Sequence, residues 1–415
     1  MTLTNDRSSD LVIPDLSDPA TFTDAVPNAA FAEIRNRPGL HWVATPVANS
    51  HGGYWAVTRY DEIVEIERDP ASFTATNGSP FPYTNLPKDH PAKDNVMCVD
   101  PPRHNYLRRA TAKGFAPRIV ANFEPWVRDV VIEIIEGLEG KTEFDFIEEY
   151  GRTIPAFVIA RVLGAPKEDR AYLVQLIQDY IDAGQMTESL EEGEGVGERI
   201  IPLMMQITDY AAKIQKVKLA NPADDMFTEL ARCVERGEIN QDEYLQWMFV
   251  MLAAGYETTQ TTIGQSMRMY LEDPEIREAT DKAIAQGETM LAVEEYLRLI
   301  SPPMQMARTA TRDLDFHGQK ILEGQVMVLY YVAANRDTTK FSEPDRFNPW
   351  RPEKENLVFG AGAHRCIGSH LAKLELQILW DELAKRNIRY ELAGEPKRGY
   401  SNFINQLRSL PVRRP

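Results

Sequence analysis

Cysteine, unbroken apolar sequence and net positive charge are all scarce in this chain, and each shortage removes a class of protein. Its three cysteines, Cys98, Cys233 and Cys366, are scattered through 415 residues, which excludes a disulfide framework and fits a reducing compartment. No apolar run approaches the ~20 residues that span a bilayer. Met1 to Asp10 has neither the basic nor the apolar region of a secretory signal, so a cytoplasmic protein without a membrane anchor is expected. Against 62 Asp and Glu stand 46 Lys and Arg, a net charge of −16, which argues against nucleic acid as the main partner. Length alone would allow two or three domains, yet no composition break, low-complexity linker or solenoid repeat marks a boundary.

The stretch that organises the chain lies near the C-terminus, from Phe359 through Gly360, Gly362, His364 and Arg365 to Cys366 and Gly368. Cys366 stands at the mouth of an apolar helix expected over Ser369–Lys385, where free N–H groups and the helix dipole favour a thiolate, aided by the basic neighbours His364 and Arg365. Such a thiolate suits a nucleophile or a metal ligand. Gly360, Gly362 and Gly368 leave the loop nearly bare, as if a large flat group such as a heme lay against it.

Upstream, the sequence predicts helix over Ala29–Arg37 and Tyr60–Arg68, with a hairpin of His41–Ala44 and Tyr54–Thr58 between them. From Phe73 to Asp100 the prolines 80, 82, 87 and 91 forbid a continuous element, and the long loop carries Phe73, Phe81, Tyr83 and Met97. Arg103, His104, Arg108, Arg109, Lys113 and Arg118 then follow with no acidic residue between Pro101 and Phe123. His104 and Arg108, four apart, share one helix face that could grip an anion. Pro117 to Gly237 reads as amphipathic helices, with one opening at Asn221-Pro222 and a surface loop at 184–198.

Asn240 and Glu243 form a capping box for the longest helix, which nothing stops before Asp273-Pro274. Its middle, Ala254-Gly255-Tyr256-Glu257-Thr258-Thr259, places a glycine, a carboxylate and hydroxyls where they weaken a helix, either as a functional distortion or as buried threonines satisfying each other. Glu295 and Arg298, three apart, can pair on a further helix. Strands are expected over Thr309–Phe316 and Val326–Ala334.

The spacing of Phe359, Gly362, Cys366 and Gly368 resembles the heme-binding loop of the cytochrome P450 monooxygenases. The rest follows in family order: Asp100-Pro101-Pro102 with His104 and Arg108, then Ala254-Gly255 with Glu257-Thr258, then Glu295 with Arg298, then Pro344 with Arg346 and Phe347. The resemblance implies a mainly α fold with small β-sheets, one domain over 1–415, a long central helix over the heme and the cysteine loop beneath it. It implies heme b (iron protoporphyrin IX) as the cofactor, with Cys366 as axial ligand, Phe359, Gly360 and Gly368 shaping the loop, and His104, Arg108, Arg308 and His364 on the propionates. Glu257 and Thr258 would deliver protons while Ala254 and Gly255 leave room for O2. Glu295, Arg298 and Arg346 would form a buried structural network.

The implied function is that of a bacterial-type, monomeric heme-thiolate monooxygenase that hydroxylates or epoxidises a hydrophobic molecule with O2. The alternatives are an aromatic or fatty-acid hydroxylase, a peroxide-driven enzyme and a heme sensor. With no flavin or iron–sulfur motif in the chain, its electrons must come from outside, and an acidic ferredoxin, supplied from NAD(P)H through a ferredoxin reductase, would suit the positive patch of Arg109, Lys113, Arg118 and Arg365. Phe73, Phe81, Met97 and Trp247 are candidate pocket residues, with Met251, Met304, Phe403 and Ile404 beside them. Their apolar character suits an apolar, largely uncharged substrate, and the resemblance, which is to bacterial members acting on terpenoids, steroids and branched lipids, implies one of those classes.

Overall fold

The elements that frame the site follow one another along the chain as β1 (His41–Ala44), β2 (Gly53–Val57), α1 (Tyr60–Arg68), β3 (Phe73–Thr74), α2 (Arg103–Ala112), α3 (Gln241–Glu272), α4 (Thr289–Ile300), β4 (Gln305–Ala310), β5 (Val326–Tyr330) and α5 (Ser369–Lys385). They come from a computed structural model that describes residues 12–46, 51–82, 84, 86, 87, 90–187 and 196–415. Further helices, among them Glu124–Gly137, Thr153–Val162, Arg170–Thr187, Val196–Ala220 and Pro274–Ala285, make the chain mainly α with small sheets, as expected.

Helix α3 begins and ends where its sequence dictates. The Asn240 side chain accepts from the Glu243 N–H at 2.8 Å, and Glu243 accepts in return from the Asn240 N–H at 2.8 Å. At the far end Asp273 caps the next helix, whose first residue is Pro274, so α3 cannot run on. Gly264 lets α3 press against the π-helical turn Ile147–Arg152, since a Cβ there would collide with the Ile147 side chain.

Five strands form the main sheet in the order β1-β2-β5-β4-β3. Pairing is antiparallel between β1 and β2 (His41 opposite Ala56), parallel between β2 and β5 (Tyr54 opposite Val326), and antiparallel from there to β3. One large apolar cluster fills the space around α3, α4 and α5, and two smaller ones pad the two faces of the sheet.

Three local expectations are corrected. The helix placed at Asn221-Pro222 spans Met226–Glu235 and is capped by Asp225, whose carboxylate accepts from the Thr228 N–H at 2.9 Å. Within the expected 184–198 loop, helix runs to Thr187 and resumes at Val196; 188–195, like Tyr83, lie outside the described residues. The segment Tyr331–Ala334, read as strand, is one helical turn that begins as soon as β5 leaves the sheet.

Candidate active site

A cavity separates the middle of α3 from the loop that leads into α5. Trp247, Met251, Ala254, Gly255 and Thr258 of α3 face Phe359, Gly360, His364, Cys366 and Gly368 across it, with His104, Arg108 and Arg308 at its edge.

The loop is tied up as a closed turn. Cys366 N–H donates to the Phe359 carbonyl at 2.8 Å, and Gly360 N–H to that of Leu357 at 3.0 Å. Gly360 and Gly362 have φ of +68° and +62°, and at Gly362 a Cβ would strike the Glu67 carbonyl oxygen, so glycine is required there twice over. The Cys366 side chain is exposed to the cavity. Burial pushes its thiol up, outweighing the Gly368 and Ser369 N–H groups, Arg108 and Arg365, all of which pull it down. The helix start acts in the expected direction, and desolvation by the surrounding protein exceeds it.

At the edge, the rings of His104 and His364 lie 4.2 Å apart between centroids. Burial, followed by His364 and Arg108, lowers His104 to about 4. His364 and Arg108 are lowered too, burial leading in both cases. His104 Nδ1 and His364 Nε2 are buried without a hydrogen-bond partner, the latter 3.9 Å from Asp100 Oδ1. Arg308 is 5 % exposed, with one nitrogen on the Ala307 carbonyl at 2.7 Å and another 3.4 Å from Glu67 Oε1. Two buried imidazole nitrogens without a partner, beside Arg308 and an Arg108 that donates to the Arg365 carbonyl, fit a bound group that brings carboxylates.

On α3, the Thr258 hydroxyl donates to the Ala254 carbonyl at 2.9 Å. Tyr256 is fully buried and turned away from the cavity, as is required for Ala254 and Gly255 to face it. Glu257 is not brought beside Thr258 in the cavity wall; its Oε1 accepts from Gln406 Nε2 at 3.1 Å.

The buried network needs correction in one member. Glu295 accepts from Arg298 at 2.8 and 2.9 Å and from Arg351 Nε at 2.9 and 3.0 Å, all three being buried. The Arg346 side chain is 63 % exposed and pairs with Glu343; only its carbonyl joins the network, accepting from Arg351 at 2.9 Å. The turn after Pro344 points the Arg346 side chain outward and brings Arg351 inward. Arg298 also donates to the carbonyl of Asn335 at 2.7 Å, and the Asn335 side chain accepts the Leu357 N–H at 2.7 Å, which carries the network to the cysteine loop.

Of the expected pocket residues, Met97, Trp247 and Met251 line the cavity. Phe73 packs edge-on to Phe316, Phe81 lies 4.7 Å from Tyr54, and Met304 is fully buried, all in the clusters about the sheet. Phe403 and Ile404 pair through their backbones with Met304 and Pro303 and do not line the cavity. Met306, Val250 and Ile159 line it instead. The wall also holds Glu67 and Glu375, both missed in the sequence: Glu67 sits in a charged helical stretch that reads as solvated, and Glu375 is a carboxylate between two leucines of the apolar helix α5 with no motif around it. Burial pushes the Glu375 carboxyl well up. Arg109, Arg118 and Arg365 are exposed; the side chain of Lys113 lies outside the described residues. No helix among the described residues is long and apolar enough to cross a membrane.

Comparison with known proteins agrees with this geometry. The family model described as Cytochrome P450 matches residues 198–385. The chain is 30 % identical over 411 residues to the steroid C26-monooxygenase of Mycobacterium tuberculosis (strain ATCC 25618 / H37Rv), covering 96 % of this chain and 92 % of that protein. It is 28 % identical to the methyl-branched lipid omega-hydroxylase of Mycobacterium bovis (strain ATCC BAA-935 / AF2122/97), covering 94 % and 91 %. Among solved structures, CYP108D1 from Novosphingobium aromaticivorans DSM12444 superposes with a TM-score of 0.81 at 28 % identity, covering 97 % of this chain and 99 % of that one. A cavity with one cysteine at its floor and a basic edge, in a fold and sequence shared over nearly the whole chain with such proteins, means that this chain belongs to the cytochrome P450 family.

Proposed function

We propose that this P450 monooxygenase hydroxylates a largely uncharged apolar molecule of the steroid, terpenoid or branched-lipid class. The observation that carries the proposal is the apolar lining of Trp247, Met251, Ala254 and Met306 above Cys366. The names of the steroid and methyl-branched lipid relatives support the same class. Cys366 would hold the heme iron through its sulfur, and His104, Arg108, Arg308 and His364 would hold the propionates. The thiolate-ligated heme supplies the activation of O2 and its insertion into a C–H bond.

The chain's own part is positioning and proton movement. The apolar wall excludes water from the reacting carbon and orients it above the cysteine. Thr258 can hand its hydroxyl from the Ala254 carbonyl to a water in the cavity, and Glu257, released from Gln406, can carry protons inward from the Gln406 side. The exposed Arg109, Arg118 and Arg365 form the docking face for an acidic ferredoxin, which receives electrons from NAD(P)H through its reductase. Difference spectra over a panel of steroids, terpenes, branched lipids and fatty acids test the reading. Micromolar binding confined to fatty acids would overturn the substrate class, and a reduced carbon monoxide complex without the red-shifted band of thiolate ligation would overturn the role of Cys366.

A further inference from the structure

Glu67 is a carboxylate in a place where a carboxylate is costly. It is the next-to-last residue of α1, its side chain is 1 % exposed, and it stands in the wall of the cofactor cavity beside Arg308 and Tyr331. Three elements converge on it. The Tyr331 hydroxyl donates to Oε1 at 2.6 Å, the Ala361 N–H donates to Oε2 at 2.6 Å, and an Arg308 guanidinium nitrogen lies 3.4 Å from Oε1. Burial pushes the carboxyl up while Arg308, Tyr331 and Ala361 pull it down.

The backbone around Ala361 is shaped for this contact. A Cβ on Gly360 would come into ordinary contact with Glu67 Oε1 at 3.4 Å and the Tyr331 hydroxyl at 3.5 Å, whereas one on Gly362 would strike the Glu67 carbonyl. The last turn of α1 is thus seated in the cysteine loop at two positive-φ glycines, with the carboxylate bridging from the loop to the arginine at the cavity edge. An apolar residue would fill this space at lower desolvation cost, so the charge needs a reason. One is available in Arg308: its positive charge is already shared with a buried anion before any propionate meets it.

We propose that Glu67 is a positioning residue for the heme, fixing Arg308 against the Ala361 end of the cysteine loop and, by sharing the charge of Arg308, holding the reduction potential of the bound heme down. This rests on the heme-thiolate reading above. Glu67→Gln keeps the shape and removes the anion. Tyr331→Phe keeps the anion and removes its 2.6 Å hydroxyl donor. Both are measured as purified holoprotein for heme transfer to excess apomyoglobin and for midpoint potential by spectroelectrochemistry.

With Glu67→Gln, heme transfer should quicken severalfold and the one-electron equilibrium should shift about tenfold toward the reduced form, a rise of about 59 mV. With Tyr331→Phe, transfer should quicken at least about twofold with a smaller change in potential. A packing role alone would speed transfer and leave the potential of Glu67→Gln unmoved, and that result overturns the electrostatic half of the proposal. Transfer at the wild-type rate in Tyr331→Phe overturns the positioning half, even if Glu67→Gln does not fold. Wild-type protein lacking the thiolate spectrum would instead refute the underlying reading, so the two failures are told apart.

Discussion

Replacing Arg351 with alanine tests how the cysteine loop is anchored. Arg351 is 3 % exposed, lies against both oxygens of Glu295 at 2.9 and 3.0 Å, and donates to the carbonyls of Ser342 and Arg346 at 3.0 and 2.9 Å. Its loss leaves Glu295 buried with Arg298 and the Asn348 N–H, the latter at 2.9 Å, and leaves carbonyls of the 342–346 turn short of a donor. Breaking a buried ion pair from one side costs about 3–5 kcal/mol. At about 1.4 kcal/mol per factor of ten, the folded-to-unfolded ratio falls by two to three and a half powers of ten. Arg346→Ala removes a side chain that is 63 % exposed and paired with one that is 72 % exposed, and such pairs contribute about 0–1 kcal/mol. Urea unfolding of the two variants, followed by far-ultraviolet circular dichroism and by the heme band, compares them directly. Equal losses in the two, or a loss below about 1 kcal/mol in Arg351→Ala, would refute the assignment of Arg351 to the network.

Gly362→Ala should yield folded protein that retains little heme, read as the ratio of heme to protein absorbance, because the new Cβ meets the Glu67 carbonyl at a positive φ. In the heme-free protein, His104 is lowered to about 4 from an unfolded value near 6.5, so the unfolded chain binds the extra proton between those limits. That contribution is whole above pH 6.5 and is lost as the pH falls toward 4; His104→Asn should flatten the change in urea midpoint over this range. Reduction by an acidic ferredoxin should slow as salt rises and slow further in Arg118→Glu, with stopped-flow rates that ignore ionic strength counting against docking at this face.

Local signals carried the sequence furthest. Asn240 and Glu243 satisfy each other's backbone within one turn, so the start of α3 was legible, and the bounds of α1 and α5 were legible from their residue pattern although neither has a side-chain cap. The cysteine loop was legible for the same reason, its glycines and hydrogen bonds lying within a few residues. Illegible features depended on partners far along the chain. Arg351 and Arg346 differ only in which way a turn aims them, and Phe73, Phe81 and Met304 are as apolar as Met97 and Met251, yet the sheet claims the first group. The helix start at Cys366 gave the sign of one effect on the thiol, while the larger effect, burial, comes from the whole cavity. Glu67 sits among Glu62, Glu65 and Arg68 and reads as a solvated face until Tyr331, 264 residues away, is seen beside it.

The cysteine loop is braced from two sides, by Glu67 at Ala361 and by Asn335 at Leu357. A free loop over residues 359–368 would give up about 1–2 kcal/mol of backbone entropy per residue on closing around a ligand, together about 10–20 kcal/mol. Because folding of the rest of the chain has already met that cost, association with the cofactor is the filling of a rigid socket. Retention of the cofactor is then not weakened by an ordering cost, and variants far from the iron that loosen either brace act by restoring that cost, slowing capture and speeding escape together.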